Sequence, residues 1–158
     1  MHSSYFLSNL GLELLAEKMR QAEGYKDSET YKIYDDDNSI ISALPNFHLI
    51  KGMKVDGPIS QVIAHGILSW IYFAWENRFR KNIANELSVQ KDDVMSDLMG
   101  DIKLLRDKIA HNFAFLDKDL KKLKVINWLK PGHIILRTKD MNKIQSLINK
   151  MEVHVLKK

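Results

Sequence analysis

The chain has no cysteine. Disulfides, thiol nucleophiles and Cys-ligated zinc are therefore excluded, and a reducing compartment suits it. Proline is scarce, with three residues at positions 45, 58 and 131, so long stretches are free to run as helix. The longest apolar run, residues 67–75, falls well short of the roughly 20 residues a bilayer demands and is interrupted by Ser69. No basic lead followed by an apolar segment opens the chain, so no signal peptide is read, and the expectation is a cytoplasmic protein with no membrane contact. Internal repeats and low-complexity segments are also missing.

What is present is enough for one core. With 158 residues, 45% of them apolar, the expectation is a single domain over 1–158. The net charge of +4 hides an uneven distribution. Residues 1–99 carry 10 Lys and Arg against 14 Asp and Glu, a balance of −4, whereas residues 100–158 carry 14 against 6, a balance of +8. A basic half of this kind raises the local concentration of polyanions.

The periodicity is mostly helical. Leu7, Leu10, Leu14, Leu15 and Met19 form a stripe over about 5–23, with Ser4 or Ser8 as a cap and Gly24 as a stop. From 25 to 57 the pattern weakens. Asp35-Asp36-Asp37-Asn38 lacks the alternating ligands, the glycine and the closing Glu of a calcium loop, so it reads as a solvated or capping stretch. Lys51-Gly52 and Asp56-Gly57 suggest turns inside a long connection. Pro58 suits the first turn of a long helix to about Leu87, apolar nearly all round at its centre and so expected to pack on two or more sides. His65 within it reads as a packed or hydrogen-bonded residue, and Glu76 with Arg80 as an (i, i+4) ion pair. Ser88 is expected to cap the next helix, which starts near Lys91 and carries Val94, Leu98, Ile102, Leu105 and Ile109 on one stripe. A basic amphipathic piece over about 117–129, a Pro131-Gly132 turn, an extended segment near 133–137 and a helix from Lys139 to about Val155, capped by Thr138, complete the chain. The fold class expected is all-α, an up-and-down bundle of four to five helices.

The end of the Val94–Ile109 stripe is where chemistry concentrates. Leu104-Leu105-Arg106-Asp107-Lys108-Ile109-Ala110-His111-Asn112 sets a permanent cation five residues before a side chain that titrates near neutral pH. A guanidinium holds phosphate oxygens with paired donors and an imidazole moves a proton, which is what metal-free phosphodiester cleavage needs. On an ideal helix these two residues lie about 140° apart around the axis and about 7.5 Å along it. One straight helix therefore does not aim both at one phosphate. Either the helix ends or bends near Ala110, or two copies of it meet and each supplies part of the site; the expectation is the second, a twofold homodimer with the site at its seam. Asp107, four residues before His111, is positioned to orient the ring.

In this setting the stretch resembles the HEPN family, whose hallmark is Arg, four to six residues beginning with a polar one, then His. Asp97-Leu98-Met99-Gly100-Asp101-Ile102, Trp75-Glu76-Asn77-Arg78-Phe79-Arg80 and Trp128-Leu129-Lys130-Pro131-Gly132-His133-Ile134-Ile135 extend the likeness. It covers roughly residue 58 to the C-terminus and leaves 1–57 unplaced. The resemblance implies a small helical bundle that dimerises through the motif helix. It implies a metal-independent endoribonuclease, a toxin or phage-defence effector, with Arg106 and His111 as catalytic pair. Asp107, Asn112, Glu76 and Arg80 would support them, and Lys108, Lys118, Lys121 and Lys122 would meet RNA. No metal or cofactor is implied, and an antitoxin or regulatory partner is. HEPN toxins paired with a nucleotidyltransferase antitoxin have Tyr two positions after the His; here Phe113 stands there, so silencing through that residue is not expected. The alternative is a non-catalytic HEPN-like dimeric regulator or nucleotide-binding module. The modest net charge and the lack of aromatic residues interleaved with the basic run favour it.

Overall fold

The computed structural model describes residues 2–22 and 25–156, and the chain is largely helical. It divides into two compact units, Met1–Ile63 and Ala64–Lys158, with the boundary inside one helix.

The first unit opens with α1, His2–Gln21. Its helix begins early enough that Ser4 and Ser8 lie within it rather than at its cap. The stop expected at Gly24, with Glu23 before it, lies outside the described residues. The buried face also differs from the expected leucine stripe. Tyr5, Asn9 and Ala16 are buried, and Leu12 and Met19 pack with Ala16, Ile50 and Met53. Leu7, Leu10, Leu14 and Leu15 stay exposed. The expected stripe runs through the largest apolar side chains, whereas the covered face is the one with small Ala16 and hydrogen-bonding Asn9. Asn9 Oδ1 accepts a hydrogen bond from buried Ser60.

Residues 25–57 are not the long connection expected. Thr30–Tyr34 (β1) and Ile40–Pro45 (β2) form an antiparallel hairpin, irregular between Ile33 and Tyr34. Their β-branched and aromatic residues favour a pleated pair, a signal that the weak helical periodicity masked. The acidic cluster is the hairpin turn. Asp35 Oδ1 accepts the backbone N–H groups of Asp37 at 3.1 Å and Ser39 at 2.7 Å, and Asn38 takes a left-handed backbone with φ 63°. Helix α2, Asn46–Gly52, follows, and then a tight turn at Gly57. A Cβ on Gly57 would meet the carbonyl oxygens of Gly52 and Lys54 at 2.8 Å, so only glycine fits.

Helix α3, Pro58–Ala74, does start at its proline. It continues through a π-helical segment, Trp75–Phe79, into α4, Arg80–Leu87, so the long helix is present with one wide turn in it. Packing on two or more sides is not observed. In the second unit Leu68, Ile71 and Trp75 are buried, while Trp70 and Phe73 on the far side are each 63% exposed. His65 is hydrogen-bonded, its Nε2 3.0 Å from the Ile134 carbonyl oxygen. Ser88 ends α4 in a left-handed conformation, φ 53°, rather than capping the next helix.

The motif helix α5 is shorter than expected, Asp97–His111. Val94, counted on its stripe, is fully buried but belongs to β3, Val94–Met95, paired with β6, His154–Val155. A buried residue four positions before Leu98 fits either element, and periodicity alone does not separate them. After α5, Phe115–Leu116 (β4) pairs with Gly132–His133 (β5), and between them the basic piece is a short 3₁₀ turn, Lys118–Lys122. Residues 134–137 run extended, with Ile134 and Leu136 buried. Helix α6, Thr138–Asn149, stops short of the expected Val155 because the chain turns to reach β3.

Candidate functional site

Helix α5 is held at its start by an internal anion. Asp101, 3% exposed, accepts backbone N–H groups from Lys124 at 3.0 Å and from Val125 and Ile126, each at 2.7 Å. Three successive amides converging on one carboxylate fasten the segment after the basic turn to α5. Lys124 adds an ion pair to Asp97 at 2.6 Å, and the Asp97 hydrogen bond raises the Lys124 pKa.

At the other end Leu105 is fully buried and Arg106 emerges beside it, partly exposed. The guanidinium lies over the Tyr72 ring, 4.9 Å from its centroid, a cation–π contact. Its Nε donates to Asp107 Oδ1 at 3.0 Å and its Nη2 donates to the same oxygen. Asp107 thus neutralises the arginine rather than orienting His111. Burial, and next the Glu76 carboxylate, push the Tyr72 phenol above its ordinary 10.0.

Glu76 and Arg80 are more than a surface pair. Arg80 Nη1 donates to both Glu76 oxygens, at 3.2 and 3.0 Å, and Arg80 Nε donates to the Val94 carbonyl at 2.8 Å. Lys91 reaches Glu76 at 2.6 Å. Burial alone would raise the Glu76 carboxyl, but the hydrogen bonds from Lys91 and Arg80 outweigh it and hold it below its ordinary 4.5. Through Arg80 the α3–α4 helix grips β3, the strand that leads into α5. This is a bracing role, one step removed from any substrate.

His111 is the last residue of α5 and is exposed, and among the described residues its ring makes no hydrogen bond. Among those residues no hydrogen bond or ion pair joins it to Arg106. Asn112 closes the helix: in the orientation its surroundings require, its amide nitrogen donates to the His111 carbonyl at 3.0 Å and its oxygen accepts from Lys108 Nζ at 3.1 Å. Lys108 also pairs with Asp119, which Lys122 holds from the other side at 2.6 Å. The hydrogen bonds from Lys108 and then Lys122 lower the Asp119 pKa to about 2. Of the four lysines expected to meet a polyanion, Lys108 and Lys122 are therefore partly neutralised. Lys118 and Lys121 are exposed and pair with no carboxylate among the described residues.

Comparison of the chain with protein-family models, curated proteins and solved structures finds no match.

Three residues at this end of α5 were not among the expected site. Tyr72 supports Arg106 from α3, Asp119 restrains two lysines, and His133 arrives on β5. His133 pairs with Phe115 across the short ladder, its Nδ1 donates to the Phe113 carbonyl at 3.3 Å, and it meets the Phe115 ring edge-on at 5.4 Å. Pro131 is a bend and Gly132, at φ 123°, is already the first residue of β5, so the turn expected at Pro131-Gly132 is not formed there. The pairing of β5 with β4 has no local signal in the sequence. Chemically, this end of the helix offers a guanidinium with one N–H edge uncommitted, an unpartnered imidazole, a second imidazole and a basic turn.

Proposed function

We propose that the chain is a metal-independent endoribonuclease of HEPN type, a cytoplasmic toxin or phage-defence effector. It would act as a homodimer, each protomer a helical bundle of four to five helices. The observation that carries the reading is His111, exposed and without a hydrogen-bond partner among the described residues, one turn and a half beyond a guanidinium that keeps N–H donors uncommitted. In this mechanism His111 takes the proton from a ribose 2′-hydroxyl. The 2′-oxygen attacks phosphorus, the 5′-oxygen leaves with the proton handed back by that imidazole, and a 2′,3′-cyclic phosphate remains. Arg106 balances the extra charge on the phosphorane oxygens. The angular separation of the two groups on α5 is met by a second copy, so that Arg106 of one protomer and His111 of its partner face one phosphate.

The second reading is a non-catalytic dimeric regulator or nucleotide-binding module. It is favoured by one observation: two of the Arg106 donors are already taken by Asp107. A cleavage assay on RNA in EDTA separates the two. The nuclease reading expects cyclic-phosphate ends and a loss of at least about 100-fold for His111→Ala. Full activity in that variant, or no activity in the unaltered chain, leaves the regulator.

A further inference from the structure

Directly after His111 and Asn112 the backbone does something that L-residues avoid. Phe113 and Ala114 both take left-handed conformations, with φ 49° and 56°, and neither is the Gly, Asn or Asp that tolerates them. Phe113 is also 92% exposed, the most open large apolar side chain among the described residues. Sterics and hydration both count against this arrangement, yet the backbone there is firmly held. Ala114 donates to the Lys108 carbonyl at 3.0 Å, Phe115 donates to Asn112 at 2.9 Å, and Ile134 donates to Ala114 at 2.6 Å. His133 Nδ1 donates to the Phe113 carbonyl as well. The backbone on both sides is tied down and the Phe113 ring is left outside. Strain kept in place by surrounding hydrogen bonds, with an aromatic held out as its result, marks a functional position.

The surroundings say what such a ring would meet. Phe115, 47% exposed, stands edge-on to His133, and His133 in turn reaches the Phe113 carbonyl, so two further rings follow Phe113 along the same ladder. Lys118 and Lys121, exposed and paired with no carboxylate among the described residues, add positive charge on the turn that joins β4 to β5. A flat π-faced group attached to an anion fits both features. We infer that Phe113 is a stacking platform for one unpaired nucleobase of single-stranded RNA, beside the phosphate that His111 addresses. The inference rests on the ribonuclease reading and names the class of its substrate. It also supplies the aromatic surface that the basic run itself lacks.

The test uses the full chain carrying His111→Ala, so that RNA stays intact, with and without Phe113→Ala or Phe113→Tyr. Binding of a labelled single-stranded oligoribonucleotide and of its duplex is followed by fluorescence anisotropy. Loss of one stacked base should weaken single-strand binding by about 5- to 150-fold in Phe113→Ala. Phe113→Tyr should bind as before, and duplex binding should be unchanged. Equal single-strand binding by the His111→Ala chain with and without Phe113→Ala overturns the inference. So does a change in sedimentation on Phe113→Ala, which would mean that a second copy covers the ring. The two readings fail separately. Cleavage by the unaltered chain with binding indifferent to Phe113→Ala removes the platform alone. Stacking-dependent binding without cleavage removes the nuclease alone.

Discussion

Asp119 shows how a single carboxylate sets what its neighbours can do. Held between Lys108 and Lys122, it titrates at about 2 in the folded chain against an ordinary 3.8. A lowered folded value means stabilisation that is complete above the ordinary value and lost as pH falls through the folded one. Urea denaturation at pH values from about 5 down to about 2 should therefore show the unaltered chain losing stability relative to Asp119→Asn, the two curves converging at the lower end. Arg106 belongs to the same scale. Its guanidinium rests on the Tyr72 ring and on Asp107, so its direction is set before any phosphate arrives. None of this was visible in the spacing of Arg106 and His111, because Tyr72 lies 34 positions earlier and Asp119 follows a turn whose path periodicity does not reveal.

Among the elements, α5 depends most on one buried group. Asp101 accepts three backbone N–H bonds, and an amide in its place would turn a donor toward them. Asp101→Asn should cost about 2 kcal/mol, read as a lower urea midpoint at unchanged slope. The elements themselves were unevenly legible. Pro58, the long helix to Leu87 and the Leu98–Ile102–Leu105 face follow from a proline at N1 and from spacings of three and four. The β1–β2 hairpin was missed because its alternation is short and its turn is acidic rather than Asn-Gly. The two-residue ladders that bring His133 to the end of α5 and Val155 to Val94 were beyond reach, since they are fixed by tertiary packing and carry no local pattern. Ser88 is a similar case: a residue suited to start a helix is used, with its backbone left-handed, to finish one.

For the molecule as a whole, the basic half acts through the lysines that remain unpaired. If a polyanion binds here, Lys118→Ala and Lys121→Ala should each flatten the slope of log affinity against log salt by about 0.7 to 0.9. Lys108→Ala should change it far less, because Asp119 already opposes that charge. Filter binding of a labelled RNA from about 50 to about 300 mM salt checks the contrast. No helix among the described residues is long and apolar enough to cross a membrane. The wide turn at Trp75–Phe79 has a different consequence, for tolerance to length change. A π segment holds one residue more than an α turn needs, so it stores a spare position in mid-helix. Deleting exposed Asn77 should let that turn relax to ordinary α geometry with Arg80 still aimed at Val94, and thermal melting should shift by only a few degrees. Deleting Ser69 instead would swing everything downstream by about 100° and unfold the unit.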